Sequence, residues 1–351
     1  MMKKWVEYQN STDRRNYGVR MVDGKEVPEQ SDLATIPYIQ VQQCRGDHLT
    51  YDNSTPYIYS ATAYAAHSAD ILRRTAYILG KTDDEKRYTE LFENIKRAFN
   101  DAWVNDDGSV SYYGEVSSQT AHCGESVALD GSVTRYTYYA ENTPHCPSQT
   151  AYALAVDFDL IPKDKLKNTR KYFKNSILRN NGKLTVGFLG ISHLAPALSK
   201  VGLDDVAFKL LEQEDNPSWL YSVKNGATTI WERWNSYIAE TGTFGDVSMN
   251  SFNHYSYGAI GQWFFTDILG IRPVEIGYKS FMLAPKFGGG LTYAKGSFTS
   301  PYGKISSAWK LHDGKFTYDC TVPTNTTATL KLPNGDIHTL VGGSYHFEIN
   351  V

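Results

Sequence analysis

Hydrophobic spacing changes period once along these 351 residues, near Ile271, and no single bundle or sheet satisfies both halves. Before that point apolar residues recur at three and four positions, the spacing of a buried helical stripe; after it they alternate, the spacing of a half-buried strand. The text YIYSATAYAAHSADILRRTA, Tyr57 to Ala76, carries Ala, Tyr, Ile and Leu at helical spacings and is closed by Gly80. A second helix is predicted from about Asp84 to Ala102, with Tyr88, Leu91, Phe92, Ile95 and Phe99 on one stripe, so the two form a hairpin. Helical text resumes at Ser148 and over 165–179, 188–199, 203–213 and 251–269, with His193, Trp219 and the Trp231 to Trp234 segment in connections or at element ends. Alternating runs over 279–283, 291–298, 303–312, 315–322, 327–331, 337–340 and 345–351 are separated by Gly, Pro, Asn and Asp turns. No βαβ order is present. The expected fold is mainly α with C-terminal β, an incomplete (α/α)6 toroid over residues 1–272 followed by a small β-sandwich over 273–351.

Composition removes several function classes. Thirty-five Lys and Arg against 38 Asp and Glu leave a formal charge of -3, and the basic residues do not line up with stacking aromatics, so a nucleic-acid surface is not indicated. No window approaches 18 uncharged apolar residues, so no membrane partner is expected. The chain contains no GxSxG elbow, P-loop, HExxH or GxGxxG, and no cofactor is implied. Its start, MMKKWVEYQNS, lacks a secretory apolar run and reads as the middle of an amphipathic helix with Trp5 and Tyr8 three apart. The expectation is a soluble protein that begins inside a larger fold, with its native compartment unassigned.

Four cysteines are too few to staple a chain of this length. His122-Cys123 and His145-Cys146 fall within a polar stretch between Trp103 and Pro147. Zinc ligation there lacks a CxxC knuckle, and a Cys123–Cys146 disulfide or plain loop chemistry stands beside it, so no metal site is assigned. Asp106-Asp107-Gly108 is read as a turn.

Chemistry concentrates in GATTIWERW, Gly226 to Trp234, and MNSFNHYSYGAIGQW, Met249 to Trp263, where polar groups are embedded among large aromatics. In Trp231-Glu232-Arg233-Trp234 a carboxylate sits between an indole that can stack on a sugar ring and an arginine that can position it, as a water-activating base requires. The alternative is a structural Glu232–Arg233 ion pair at a helix start capped by Thr228 or Thr229, with the tryptophans as packing. His254 can donate a hydrogen bond to a sugar hydroxyl or serve as a satisfied structural histidine. Asp47, in Arg45-Gly46-Asp47-His48, can accept from a polyol or simply terminate a loop, and Trp219 can line a pocket or pack in a core.

Nine stretches in one order carry a wider likeness: KKWVEY from Lys3, GDHLTYDNSTPYIYSATAYAAHSADIL from Gly46, QTAYALA from Gln149, LTVGFLG from Leu184, PSWLYSVKNGATTIWERW from Pro217, MNSFNHYSYGAIGQW from Met249, and the later GYKSF, GGGLTYA and SPYGKISSAW. Over Lys3 to Trp309 the chain resembles glycoside hydrolase family 78, the inverting α-L-rhamnosidases, and the C-terminal half of that family only. The resemblance implies a helical toroid with a small β domain, Glu232 as general base, His254 as a rhamnose contact, Trp231 and Trp219 as parts of the aromatic wall and Asp47 near the pocket; Arg233, beside Glu232, joins them as a substrate-binding candidate. The family's Gly-Asp-Trp text reads Gly46-Asp47-His48 here, so one indole is replaced. Nothing in the 351 residues matches the family's acidic stretch, Asp-Cys-Pro-x-Arg-x-Glu, which supplies the general acid. Inversion needs two carboxyl groups about 6.5–9.5 Å apart, and Glu115 and Glu125 are replacement candidates without supporting text. Three functions are therefore weighed: a rhamnosidase-like module acting on rhamnose-containing glycans, with self-association or a complementing N-terminal chain as partner; a noncatalytic glycan-binding protein; and a structural or assembly role without sugar affinity.

Overall fold

A computed structural model describes residues 1–10, 37–40, 46–51, 55–111 and 147–351 and the backbone of two hairpins, β1 (Val19–Val22) with β2 (Lys25–Pro28) and β3 (Gly124–Val127) with β4 (Val133–Tyr136). His122, Cys123, His145, Cys146 and Glu115 lie outside the described residues, as does the side chain of Glu125.

Helix α1 (Met2–Gln9) forms where the sequence predicts one, but it buries Val6 against Leu72 and Tyr88 while Trp5 and Tyr8 face outward. Helices α2 (Tyr57–Ile78) and α3 (Thr82–Trp103) make the expected hairpin. The turn is set by Gly80 at φ +63, with the Lys81 amide bonded to the Ala76 carbonyl at 2.8 Å, a left-handed C-terminal cap that glycine adopts without a Cβ clash. Ala63, Ala66 and Ala69 of α2 and Ile95 and Phe99 of α3 are buried, and Tyr59 packs on Phe99 and Trp103. Small residues on one helix let the large residues of the other approach closely.

Helix α4 (Gln149–Asp157) is buried all round apart from its last residue, which makes it an interior helix. Ser148 caps it by accepting from the Ala151 amide at 3.0 Å. It packs on α6 (Phe188–Lys200), and the flanking α5 (Leu166–Leu178) and α7 (Asp204–Leu211) complete two further helical pairs. His193 lies inside α6 rather than in a connection, because FLGISHLAPAL keeps helical spacing on both sides of it. A short helix α8 (Trp219–Lys224), the hairpin β5 (Tyr237–Ile238) with β6 (Thr243–Phe244), and a continuous helical segment follow. That segment passes from a 3-10 turn at Ser256–Ala259 through α9 (Ile260–Trp263) into a π turn at Phe264–Ile268.

Two four-stranded sheets close the chain. One contains β7 (Ile271–Pro273), β8 (Ser280–Leu283), β12 (Thr327–Lys331) and β13 (Ile337–Leu340) in the order β13-β12-β8-β7, with β8 and β12 parallel. The other contains β9 (Tyr293–Ser300), β10 (Gly303–His312), β11 (Lys315–Val322) and β14 (Gly343–Asn350) in the antiparallel order β14-β11-β10-β9. Phe316, Tyr318, Cys320 and Val322 alternate inward along β11 and share one buried core with Phe281, Leu283, Ala328 and Leu330 of the other sheet. Each such large apolar side chain contributes roughly 1.5–3 kcal/mol on burial. The sheets are tied to the helical part where Trp309 Nε1 donates to the Ile268 carbonyl at 2.9 Å and the Ser307 hydroxyl to that of Leu269 at 2.7 Å. Asp267, buried beneath this junction, pairs with Arg272 and with Lys286 at 3.1 Å. The architecture is a helical core with C-terminal β-sheets. No helix of the described residues is long and apolar enough to cross a membrane.

Candidate active site

Residues 228–236 form neither helix nor strand, so the alternative of an ion pair at a helix start does not hold. The segment is instead held by residues 246–254 through paired bonds. The His254 amide donates to the Ile230 carbonyl at 2.8 Å, the Glu232 amide to the Ser251 carbonyl at 2.8 Å, and the Thr229 hydroxyl to the Phe252 carbonyl. Glu232 also accepts from the Ser251 amide through Oε2 at 2.8 Å. Its Oε1 accepts no hydrogen bond from a described residue, and the side chain is half-buried. One oxygen is thereby fixed by the main chain while the other has no hydrogen-bond partner among the described residues.

Arg233 does not pair with Glu232. Its Nε donates to the Met249 carbonyl at 2.8 Å and its Nη2 to Asp246 at 3.1 Å, so the guanidinium ties down the returning loop. Asp246 is held below the usual carboxylate range by hydrogen bonds from Ser248, with Arg233 adding to them. Trp231 is buried and meets Phe252 edge to face at 5.2 Å.

His254 is gripped on its ring. It stacks on Phe188 at 4.8 Å and on Tyr255 at 5.4 Å, and its Nδ1 accepts from the Ser256 amide at 3.3 Å. An accepting Nδ1 carries no proton, so the neutral ring holds its proton on Nε2, which has no partner among the described residues and is a free donor. Phe188 is the first residue of α6, and Tyr257 crosses it at 5.5 Å. Tyr257 in turn stacks on Trp234 at 3.8 Å, and Trp234 meets Trp219 at 5.4 Å. Both indole nitrogens are used, Trp234 Nε1 by the Val186 carbonyl at 3.1 Å and Trp219 Nε1 by that of Tyr257 at 2.9 Å. Burial pushes the Tyr257 hydroxyl up from its ordinary pKa, and the Asp47 charge adds to that.

Asp47 lies at the far edge of this cluster and is 7% exposed. Its Oδ2 accepts from the Thr150 hydroxyl and from the Gly187 amide at 2.8 Å, and its Oδ1 from Leu189 at 2.8 Å and Gly190 at 3.0 Å. Burial raises its pKa, with the four hydrogen bonds pulling the other way. His48, in the position of the replaced indole, sets its ring edge against Phe188 at 5.5 Å.

The fold thus links Asp47, Trp219, Trp234 and His254 through Phe188 and Tyr257, with Trp231, Glu232 and Arg233 on the adjoining segment. Phe188, Tyr257, Ser251 and Asp246 were not singled out from sequence, although LTVGFLG and MNSFNHYSYGAIGQW contain three of them. Among the described residues no group of three or more His, Cys, Asp or Glu side chains could hold a metal ion.

Comparison with known proteins gives a family. A model described as the bacterial alpha-L-rhamnosidase 6 hairpin glycosidase domain matches residues 1–268, and one for the bacterial alpha-L-rhamnosidase C-terminal domain matches 270–347. An alpha-L-rhamnosidase of Formosa agariphila is 33% identical over 97% of this chain and 31% of its own length, and one of Streptomyces avermitilis is 38% identical over 82% and 24%. The crystal structure of the Streptomyces avermitilis alpha-L-rhamnosidase complexed with L-rhamnose superposes with a TM-score of 0.79 at 31% identity, covering 99% of this chain and 30% of that one. The Aspergillus terreus alpha-L-rhamnosidase structure gives 0.72, also at 31% identity, over 85% of this chain and 31% of that one. Likeness to one half of the family alone is therefore corrected: the matches take in the helical glycosidase domain and the C-terminal domain together, nearly the whole chain and past Trp309. The chain spans 24–31% of the length of these two curated relatives.

Proposed function

The chain belongs to the bacterial alpha-L-rhamnosidase family, and on that footing we propose that its site binds terminal α-L-rhamnose and uses Glu232 as the general base of an inverting hydrolysis. The hairpins α2–α3, α4–α5 and α6–α7 are then arcs of an (α/α)6 toroid in residues 1–272, with 273–351 as the sandwich domain. The observation that carries the chemical reading is the asymmetry of the Glu232 carboxylate, one oxygen bonded to the Ser251 amide and the other open.

A water held on the open oxygen gives its proton to Glu232 as it attacks the anomeric carbon. The bond from that carbon to the leaving oxygen breaks on the opposite face. His254 donates from Nε2 to a rhamnose hydroxyl, Trp219 and Trp231 wall the ring, and Arg233 holds the 246–250 loop in place. The leaving oxygen needs a proton from a second carboxyl, and no stretch of the sequence matches the family's acid. A nitrophenolate departs without that proton, so an aryl rhamnoside isolates the step that Glu232 performs.

The test is nitrophenol release from an aryl α-L-rhamnoside by the protein and by Glu232→Gln, beside an L-rhamnose titration of both. The expected result is a loss of turnover of about a thousandfold with binding retained, within the range of a general base. Equal turnover in the variant removes Glu232 from the chemistry, and binding without turnover in either protein favours a glycan-binding role.

A further inference from the structure

We propose that Asp47 is a positioning residue that acts on sugar binding through Phe188 and His254, without touching the sugar itself. The inference rests on the reading of His254 as a rhamnose contact. Both Asp47 oxygens are taken by protein donors, three of them the amides that open α6 and its preceding turn. The fourth, the Thr150 hydroxyl, comes from α4, so the carboxylate clamps the loop at 46–51 and α4 onto one helix start.

Neighbouring contacts reinforce the clamp. The Phe188 amide donates to the His48 carbonyl at 2.9 Å, the Tyr51 amide to the Thr185 carbonyl at 2.8 Å, and the Thr50 hydroxyl to the same carbonyl at 2.6 Å. Two glycines make the approach possible. A Cβ on Gly187 would fall 2.2 Å from the His48 carbonyl oxygen, and one on Gly190 would fall 2.4 Å from the Thr150 hydroxyl. Between those glycines Phe188 leaves the helix start and lies against the His254 ring at 4.8 Å. With that ring also stacked on Tyr255 and its Nδ1 on Ser256, the direction of the Nε2 donor depends on where Phe188 is held.

Asp47→Asn keeps the shape but offers an amide group where two of the donors need an acceptor, so the helix start shifts and Phe188 with it. The experiment is an L-rhamnose titration of four proteins: wild type, Asp47→Asn, His254→Ala and the double variant. The His254 ring resonances are followed by NMR in the wild type and in Asp47→Asn. Asp47→Asn is expected to weaken binding about tenfold in the wild-type background and less than about twofold when His254 is already Ala, because coupled residues are non-additive. The His254 ring signals should move as the ring current of Phe188 is displaced. Equal losses in both backgrounds, or unmoved His254 signals, overturn the proposal. Phe188→Leu leaves the Asp47 cage intact and should reproduce the loss, which keeps the test decisive if Asp47→Asn does not fold. Absence of L-rhamnose binding by the wild type defeats the sugar-site reading, while the His254 signals still decide whether Asp47 positions that ring.

Discussion

Residues 46–51 and residues 228–236 each bring one carboxylate to the same aromatic cluster, and the two meet opposite surroundings. Asp47 is buried and accepts from four donors on two helices and a turn, whereas Glu232 accepts from one amide and keeps an open oxygen at a half-buried position. Both were candidates by sequence, since each is an acid beside an aromatic or histidine in polar text. What separates them is how many protein donors each has been given. A carboxylate saturated by main-chain amides is committed to holding those amides, and one with a vacancy can bind and deprotonate water.

The sharpest way to break this comparison is to exchange the phenotypes. Glu232→Gln should lose about a thousandfold in turnover while its melting temperature stays within about two degrees of wild type, because no buried group is left unpaired. Asp47→Ala should instead lose stability and weaken sugar binding, with the chemical step spared. It strands three amides and a hydroxyl, and urea denaturation should register a loss of about 3–4 kcal/mol of stability. If the two variants show the same profile, the donor count does not distinguish their roles.

A smaller effect tests the loop that faces Glu232. Arg233→Lys keeps the charge but loses the fork between Met249 and Asp246, so KM should rise about threefold with kcat little changed. A fall in kcat at constant KM would instead place Arg233 in the reaction. The smallest effect is in pH dependence. Asp47 has a raised pKa in the folded chain, so its contribution to stability is fully present below its unfolded value of 3.8 and is lost as pH rises through the folded one. The stability difference between wild type and Asp47→Asn should therefore shift in favour of wild type as pH falls from 7 toward 4. A difference independent of pH would mean that the folded carboxyl titrates as the unfolded one does.

Much of the fold was legible because regular elements advertise themselves by period. The runs at 303–312, 315–322 and 327–331 match β10, β11 and β12 at both ends, and Gly80 marks the α2–α3 turn. Exceptions arise where side chains rather than period decide. Trp5 and Tyr8 lie three apart on an amphipathic helix, yet Val6 is the residue that α1 packs inward, against Leu72 and Tyr88. The site was legible as residue types and illegible as connections. Arg233 follows Glu232 in sequence but bonds to Asp246 and Met249, partners set by how the loop returns. Phe188 reads as an ordinary apolar helix residue until the fold lays His254 on it. Bonds from side chain to distant main chain, such as Asp47 to Gly187, leave no periodic trace.

The central claim, that Glu232 activates the attacking water, is tested most directly by adding azide to Glu232→Ala in the presence of nitrophenyl α-L-rhamnoside. Azide needs no deprotonation and fits the space left by the side chain, so it can take the place of the activated water at the anomeric carbon while nitrophenolate leaves from the other face. The account predicts that azide restores nitrophenol release and that the product is the β-L-rhamnosyl azide. Release that azide does not restore, with L-rhamnose still bound by the variant, would contradict it.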